Sequence, residues 1–252
     1  MRRREIIGTA VSITDYDEVL DAIDTALELG TRSYVCCTPA SSLIFARDDR
    51  ALANALTAAD IVTPDGMGVV YAARLLGEKI SDRVYGPDLM ELQLARAAAA
   101  GTPTYLYGGF DDAALARLRD ALADRHPGLT IVGTHSPPHR PLTREETDKL
   151  VAEINASGAQ IVWVGLGSPK QEVWMHESRA ALDAPVLVGV GAAFDFFAGR
   201  VSQAPAWMQR AGLEWLYRIF QDPLRLGRRY LLTLPRFVAL VATQSLRERR
   251  FR

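Results

Sequence analysis

The sequence predicts an α/β fold, a Rossmann-like parallel sheet flanked by helices, with a helical, arginine-rich appendage at its C-terminal end. Short apolar runs alternate with segments of helical length between residues 102 and 191. Such alternation is typical of parallel strands covered on both faces, with ligands at the carboxyl ends of the strands. Aromatic residues interleaved with arginines replace this pattern after Gly199. We therefore place an α/β core at residues 1–198 and the appendage at residues 199–252.

Composition limits the kind of protein that this chain can be. Its 252 residues are enough for a sizeable core, and a net charge of -1 with 48% hydrophobic residues is ordinary for a globular protein. Residues 196–252 hold eleven arginines and no lysine against three carboxylates, so a basic end follows an acidic body. This asymmetry predicts an anionic partner for the basic end.

Three features bear on where the protein works. Cys36 and Cys37 are adjacent in an apolar run, where they are poor disulfide partners, and this favours a reducing compartment. The basic N-terminal residues have no long apolar segment after them, so we expect no signal peptide. The most apolar run, residues 231–242, contains Pro235 and Arg236 and is shorter than the ~20 residues of a spanning helix. We expect a cytoplasmic protein.

The first hundred residues are expected to end their short strands in polar loops. Strands are predicted at residues 33–38 and 60–63, a strand or loop at 6–13, and helices at 16–29, 41–48, 51–58, 69–76 and 89–100. The loop after residue 63 displays Asp65 between a proline and two glycines. Its carboxylate is either a general base aimed into a cleft or a cap of the next helix. Arg83, in the following loop, either binds phosphate or pairs with an acid.

The second half alternates regularly between strand and helix. Strands are predicted at residues 104–107, 130–134, 161–164 and 186–190, and helices at 111–125, 144–156 and 169–182. Because the carboxyl ends of parallel strands meet at one edge, the glycines that follow them should approach a ligand there. These glycines are Gly108, Gly109, Gly165, Gly167, Gly189 and Gly191. We expect Asp65 to share one cleft with the turns at 108 and 167.

The stretch from residue 161 to 172 predicts an anion site, because a buried strand, a glycine turn and a helix start follow one another. Ser168 is the expected N-cap, Pro169 the first helical residue, and Gln171 the partner in a capping box. The free N–H groups would face a diphosphate, with added charge from Lys170. Alternatively, these residues only cap a helix. The stretch is neither a P-loop nor a complete dinucleotide fingerprint.

The appendage has a composition that suits an anionic surface. Aromatic residues and arginines between residues 204 and 230 suit a lipid headgroup zone. The same mixture also suits single-stranded nucleic acid, although the acidic body disfavours that partner. Simple packing of the aromatic residues on the core is the third interpretation.

Several motifs, in order along the chain, resemble those of the WecG/TagA/CpsF glycosyltransferases, known as glycosyltransferase family 26. They are TPDGMGVV (residues 63–70), RVYGPDL (83–89), GSPKQE (167–172), GVGAAFDFFAG (189–199) and GLEWLYR (212–218). This resemblance implies a bacterial inverting enzyme that moves a sugar of the N-acetylmannosamine type from a UDP-sugar to a polyprenyl-diphosphate-linked sugar. It implies work at the inner face of the cell membrane, onto which the appendage docks, without a metal or other cofactor.

The resemblance also suggests roles for individual residues. Residues 1–100 would form the acceptor and catalytic half, and residues 101–198 the nucleotide-binding half. Asp65 would be the catalytic base, and Thr38 would line its pocket. Donor contacts would come from the glycines at 108, 109, 165 and 167 and from Ser168, Pro169, Lys170, Gln171 and Asp195. Acceptor or phosphate contacts would come from Arg83, Arg218, Arg225 and Arg228.

The chemistry of the residues agrees with metal-free inversion, but alternatives stay open. One carboxylate can take the acceptor proton while arginines, lysine and helix N–H groups stabilise the leaving diphosphate. Ala40 stands where the family usually has asparagine, and Ala192 replaces a common glycine, so a UDP-glucose or UDP-uronic acid donor is open. A nucleotide-dependent oxidoreductase or methyltransferase on a similar sheet is the other alternative. The apolar residues of the appendage could also form the interface of a homo-oligomer.

Overall fold

The computed structural model describes residues 1–250, apart from the side chain of Arg225. A six-stranded parallel sheet has the order β4-β3-β8-β7-β5-β6, and β1 and β2 form a separate antiparallel hairpin. The strands are β1 Arg3–Ile6, β2 Thr9–Ser12, β3 Ser33–Thr38, β4 Ile61–Pro64, β5 Thr104–Gly108, β6 Ile131–His135, β7 Ile161–Gly165 and β8 Val186–Gly189. The predicted α/β fold with a parallel sheet flanked by helices is confirmed.

The helices cover both faces of this sheet and continue into the appendage. The core helices are α1 Tyr16–Leu29, α2 Ala40–Ala46, α3 Arg50–Ala58, α4 Met67–Leu75, α5 Gly86–Ala100, α6 Asp112–Arg125, α7 Arg144–Ala156, α8 Lys170–Ser178 and α9 Ala193–Phe197. The appendage consists of α10 Ala206–Arg210, α11 Glu214–Gln221, a π-helical turn Pro223–Gly227 and α12 Arg228–Arg250.

Neighbouring residues on each strand pack into opposite cores, as the pleat requires. On β5, Tyr105 belongs to the core under α2, α3, α4, α7 and α8, whereas Leu106 belongs to the core under α1, α5, α6 and α9. On β7, Val162 packs into the same core as Tyr105, and Trp163 packs into the same core as Leu106. Burial of both faces explains why these strands are continuous apolar runs rather than alternating ones.

Several helices begin or end at residues whose side chains or conformations are typical helix caps. The Asp15 side chain accepts a hydrogen bond from the Glu18 N–H at the start of α1, and Gly30 ends the helix with φ 63. Thr143 and Glu146 form a capping box at the start of α7. Residues 6–13, where a strand or loop was expected, contain β2 and the end of β1, which form the hairpin.

The predicted cap of α8 is wrong. The Ser168–Pro169 peptide is cis, α8 begins at Lys170, and Pro169 itself is the cap residue without a side-chain cap bond. The Ser168 hydroxyl instead accepts a hydrogen bond of 2.8 Å from the Ser42 hydroxyl of α2. A tertiary contact has therefore replaced the local cap that the spacing suggested.

Helix α12 attaches the appendage to the core. Phe237 and Val241 of α12 are buried in the core that also contains α2. Near its far end, Gln244 accepts from the Ile7 N–H at 2.8 Å and donates to the Glu5 carbonyl at 2.9 Å, which ties α12 to the hairpin. Across residues 1–250, no helix combines the length and the apolar character needed to cross a bilayer.

Candidate active site

Asp65 lies where β4 ends at the carboxyl edge of the sheet. Its N–H donates to the Thr38 carbonyl at 3.2 Å and to the Thr63 carbonyl at 2.9 Å, which fixes the loop against β3. Gly66 follows with φ 109, a backbone conformation that side chains with a Cβ rarely adopt. This turn leads directly into α4 and leaves the Asp65 carboxyl facing a cavity.

The cavity has a volume of about 480 Å³ and is formed by the core and the appendage together. Its core side comes from the loop after β4, the start of α2, α4 and the loop before α5. Its other side comes from α10, α11, the π-helical turn and α12. The charged, amide and hydroxyl side chains in its lining are Ser41, Asp65, Tyr71, Arg83, Tyr85, Gln209, Glu214, Arg218, Arg229, Tyr230 and Thr233.

Arg83 connects the core to the appendage. Its guanidinium donates to the Glu214 carboxylate at 2.7 Å and to the Gln209 side-chain oxygen at 2.6 Å. The Tyr85 hydroxyl donates to the other Glu214 oxygen at 2.7 Å. Arg83 is only 8% exposed, so this ion pair is largely shielded from water. Of the two roles expected for Arg83, the structure displays pairing with an acid.

The environment of Asp65 raises its affinity for a proton. Burial raises the pKa of this carboxyl most, and the negative charge of Glu214 raises it further. The positive charges of Arg83 and Arg218 oppose these effects, and the resulting pKa is about 7. A carboxylate with this pKa is close to half ionised at neutral pH and is suited to accept a proton from a hydroxyl.

Arg218 brings a guanidinium into the same cavity. It lies on α11, with its guanidinium carbon 5.6 Å from the centre of the Phe196 ring. Its Nε atom is buried, and no atom of the described residues accepts its hydrogen bond. Because a buried donor without a partner is costly, this atom points to an acceptor that arrives with a ligand.

The remaining predicted residues of this region have other surroundings. The Thr38 hydroxyl is fully buried and donates to the Cys36 carbonyl at 3.1 Å, and Thr38 does not line the cavity. Ala40, which stands in place of the family's asparagine, does line it. Arg228 is exposed and outside the cavity lining, and the Arg225 side chain lies outside the described residues.

The turn after β7 is held by hydrogen bonds of its own side chains, and one buried oxygen of Glu172 has no partner among the described residues. Gln171 is 2% exposed, accepts from the Gly167 N–H at 3.2 Å and donates to Glu172 at 3.2 Å. Gly189 lets these side chains pack closely on β8, because a Cβ would lie 2.7 Å from the Met175 methyl carbon and 3.1 Å from the Gln171 amide nitrogen. Glu172 is fully buried, and burial raises its pKa to about 7.

Other predicted donor residues lie at a second cavity of about 670 Å³. It is lined by Gly109 and Lys170, by the rings of Tyr107 and Trp174, which are 4.4 Å apart, and by residues 137–142. Gly108 lies so close to β7 that a Cβ would be 2.6 Å from the Gly165 carbonyl. Asp195 pairs with Arg200 at 2.6 Å.

The expectation of one shared cleft is therefore wrong. The lining of the Asp65 cavity includes none of the glycine turns after β5 and β7. β4 and β7 are separated by β3 and β8, so their carboxyl ends are roughly 14 Å apart at 4.8 Å per strand. The structure brings Asp65, Arg83 and Arg218 together at one cavity. The hydrogen bond between Ser42 and Ser168 connects α2 to the turn after β7.

Sequence reasoning identified only Asp65, Arg83 and Arg218 among the polar groups of the Asp65 cavity. Those that it missed include Glu214, Gln209 and Arg229, which the appendage contributes. Glu214 lies inside the GLEWLYR motif, which was the available signal, but its partner Arg83 is 131 positions away. Across residues 1–250, no group of three or more His, Cys, Asp or Glu side chains is arranged to hold a metal ion.

A comparison of the sequence with known protein families covers both sides of this site. The model of the glycosyl transferase WecG/TagA/CpsF family matches residues 4–251, a range that includes both sides of the Asp65 cavity. Such a match supports transfer of a sugar from a nucleotide-sugar donor to an acceptor in cell-surface polysaccharide synthesis. The resemblance inferred from the motifs is thereby confirmed, and the chain belongs to the WecG/TagA/CpsF family of glycosyl transferases.

Proposed function

We propose that the protein transfers a sugar, with inversion, from a UDP-sugar to a sugar carried on a polyprenyl diphosphate. One observation carries this proposal: a proton-avid carboxyl, Asp65, and a guanidinium with an unsatisfied donor, Arg218, line the same cavity. The first suits a general base, and the second suits a diphosphate.

The proposed reaction is a single displacement. The acceptor hydroxyl gives its proton to the Asp65 carboxylate while its oxygen forms a bond to the anomeric carbon of the donor. The bond between that carbon and the phosphate oxygen breaks, and its electron pair leaves with UDP. Attack and departure on opposite faces invert the anomeric centre. Protonated Asp65 then returns its proton to water.

Positive charge for the departing diphosphate would come from the protein. Arg218 faces the cavity, and Arg83 becomes available to phosphate if Glu214 moves away from it. Guanidinium groups bind phosphate oxygens through two parallel hydrogen bonds, so they stabilise the charge that develops on UDP. We propose that transfer needs no metal, and we expect full turnover in the presence of a chelator.

We place the diphosphate at the polar end of the Asp65 cavity and let the nucleoside extend over the ends of β3 and β8 toward Gly167. For the sugar we favour the N-acetylmannosamine type. Ala40 provides no amide to the cavity at the position where the family usually has one, which keeps a glucosyl or uronosyl donor as the second candidate.

We also propose that the appendage contacts the inner face of the cell membrane. Leu224 is 89% exposed, and Trp207, Phe220 and Leu231 are also largely exposed, close to several arginines. Apolar side chains with nearby guanidinium groups suit the headgroup zone of an anionic membrane. Co-sedimentation with anionic liposomes tests this, and a stable dimer without liposome binding would assign the same residues to a homo-oligomer interface.

The transfer reaction can be tested with purified protein. A panel of UDP-sugars is incubated with a short-chain polyprenyl-diphosphate-linked N-acetylglucosamine, and products are identified by mass spectrometry. We expect one donor to yield a product larger by one sugar, and proton NMR should show an inverted anomeric centre. Thermal stabilisation by NAD or S-adenosylmethionine but not by UDP, with no sugar transferred, would instead support another class of nucleotide-dependent enzyme.

A further inference from the structure

The Asp65 cavity has an apolar extension that the transfer of a sugar does not use. We call it the apolar trough and define it by Tyr71, Ala72 and Leu75 of α4 and by Leu234, Phe237, Val238, Val241 and Ala242 of α12. These residues belong to the same cavity as Asp65 and Arg218. The cavity is therefore polar at one end and apolar along the rest.

The trough is long enough to receive an extended hydrocarbon chain. Arg229 marks its polar end on α12 and Ala242 its far end, and at 1.5 Å per helical residue these are about 20 Å apart. Tyr71, Leu75 and Val238 are 49%, 46% and 60% exposed, so the rim is open along its side.

The lining of the trough offers few partners to a polar ligand. The hydroxyl of Thr233, which also lines the cavity, is already used, because it donates to the Arg229 carbonyl at 2.8 Å. Apart from the Tyr71 hydroxyl, the side chains that define the trough are apolar, so a sugar or a nucleobase placed there would lose more hydrogen bonds to water than it gained. A hydrocarbon loses none and removes apolar surface from water.

We propose that the apolar trough binds the isoprenyl units of the acceptor nearest to its diphosphate. This rests on the proposed function, which supplies a lipid diphosphate as the acceptor. Charge complementarity selects this occupant: the cationic side chain of Arg229 lies at the polar end of the apolar lining on α12, so a ligand must carry an anionic group at the end of a hydrocarbon. An isoprenyl diphosphate has this arrangement.

The trough thereby positions the acceptor. With the isoprenyl units between α4 and α12 and the acceptor diphosphate at Arg229, the attached sugar is directed toward Asp65, and Arg218 is left for the departing UDP. Each methylene that is fully buried strengthens binding by up to about fourfold, so even a few isoprenyl carbons contribute strongly to acceptor affinity.

A matched pair of substitutions on α12 tests the proposal without membranes. Val238→Asp places a charge in the trough, whereas Leu232→Asp places the same charge at a side chain that is 65% exposed and outside the cavity lining. The ligands are water-soluble sugar diphosphates that carry a farnesyl or a methyl group, and their equilibrium affinities are measured by calorimetry. Val238→Asp should weaken binding of the farnesyl ligand at least tenfold and leave the methyl ligand within twofold.

The control and a second variant decide the interpretation. Leu232→Asp should bind both ligands as the unchanged protein does, and Ala242→Phe should weaken a geranylgeranyl ligand more than a geranyl one. Equal affinities of the unchanged protein for the farnesyl and methyl ligands, or equal effects of the two aspartates, would overturn the trough. Farnesyl binding that is sensitive to Val238→Asp, without sugar transfer to any acceptor, would support the trough and refute the proposed function.

Discussion

The carboxyl ends of β4 and β7 carry similar sequence signals, but the fold uses them differently. Each strand is followed by a glycine turn, polar side chains and a helix. After β7, the Gln171 amide and the Ser168 hydroxyl already have protein partners. After β4, the Asp65 carboxyl faces a cavity, and its pKa of about 7 reflects uncompensated burial.

This difference shows what distinguishes a reactive site from a structural one. After β7, Gln171 and Ser168 have protein partners, and the buried Glu172, whose pKa burial also raises to about 7, lines neither of the two cavities. The site after β4 keeps an avid carboxyl and the unpartnered Nε of Arg218, and both would gain from a bound substrate. The chemistry is therefore expected after β4, with the turn after β7 as support.

The largest expected effect comes from removing the base. Asp65→Asn preserves the shape of the side chain but cannot take a proton, so we expect the single-turnover transfer rate to fall by about 10³-fold. UDP affinity, measured by calorimetry, should stay within a few-fold. A variant that retains more than a tenth of the rate would remove Asp65 from the role of base.

Removing the guanidinium of Arg218, whose Nε has no partner within residues 1–250, should have the next largest effect. Arg218→Met keeps the bulk of the side chain and loses its donors, and we expect kcat to fall by about 10²-fold. Exposed Arg210 on α10 provides the control, because Arg210→Met removes a cation from the appendage outside the cavity lining. Similar losses in the two variants would show that only the overall positive charge matters.

Protein stability should respond in opposite directions at the two strand ends. Gln171→Ala leaves the Gly167 N–H and a buried oxygen of Glu172 without partners, which should lower the free energy of unfolding by about 2 kcal/mol. Asp65→Asn should raise it by about 4 kcal/mol at pH 8, because folding raises the pKa of this carboxyl from 3.8 to about 7 and each pKa unit corresponds to about 1.4 kcal/mol. Chemical denaturation measures both values.

The gain from Asp65→Asn has a defined pH dependence. The pKa of Asp65 is raised from 3.8 to about 7 on folding, so the unchanged protein loses stability as pH rises between these values. The difference between the variant and the unchanged protein should be near zero below pH 4, grow up to pH 7 and stay constant above it. A difference that does not change with pH would contradict the raised pKa.

The smallest expected effect comes from removing the charge of Glu214, which changes the pKa of Asp65. Glu214→Gln removes one of the negative charges that raise the pKa of Asp65 and keeps a side chain of the same size. The acidic limb of the pH profile for kcat/KM should therefore move to lower pH, by about one unit or less. A shift of the acidic limb to higher pH would mean that the lost contact between Glu214 and Arg83, rather than the charge of Glu214, controls the pKa of Asp65.

Much of the α/β core could be predicted because the sequence signals for its helices and turns are mostly local. Asp15 and Gly30 delimit α1, and the Thr143–Glu146 capping box starts α7, within a few residues of the elements that they define. Glycine turns at strand ends likewise follow from backbone geometry, as the close approach of Gly108 to Gly165 shows. The signals at α1 and α7 depend on nearby residues alone, whereas the approach of Gly108 to Gly165 joins two neighbouring strands.

The site was only partly predictable because its decisive contacts are distant. Asp65 was identified from its loop and motif, but Glu214, which raises its pKa, comes from a helix about 150 positions away. Ser168 had a suitable spacing for a cap, yet its hydroxyl bonds to Ser42, 126 positions earlier. Sequence spacing shows that Ser168 could cap α8, but it does not show that the folded chain brings Ser42 close enough to bond to it.

The central claim is that burial and the appendage make Asp65 a base at neutral pH. Carbon-13 NMR of protein labelled at aspartate carboxyl carbons measures this directly, with the Asp65 signal assigned by its absence in Asp65→Asn. We expect a titration midpoint near pH 7. A midpoint near the ordinary aspartate value of about 4 would contradict the account.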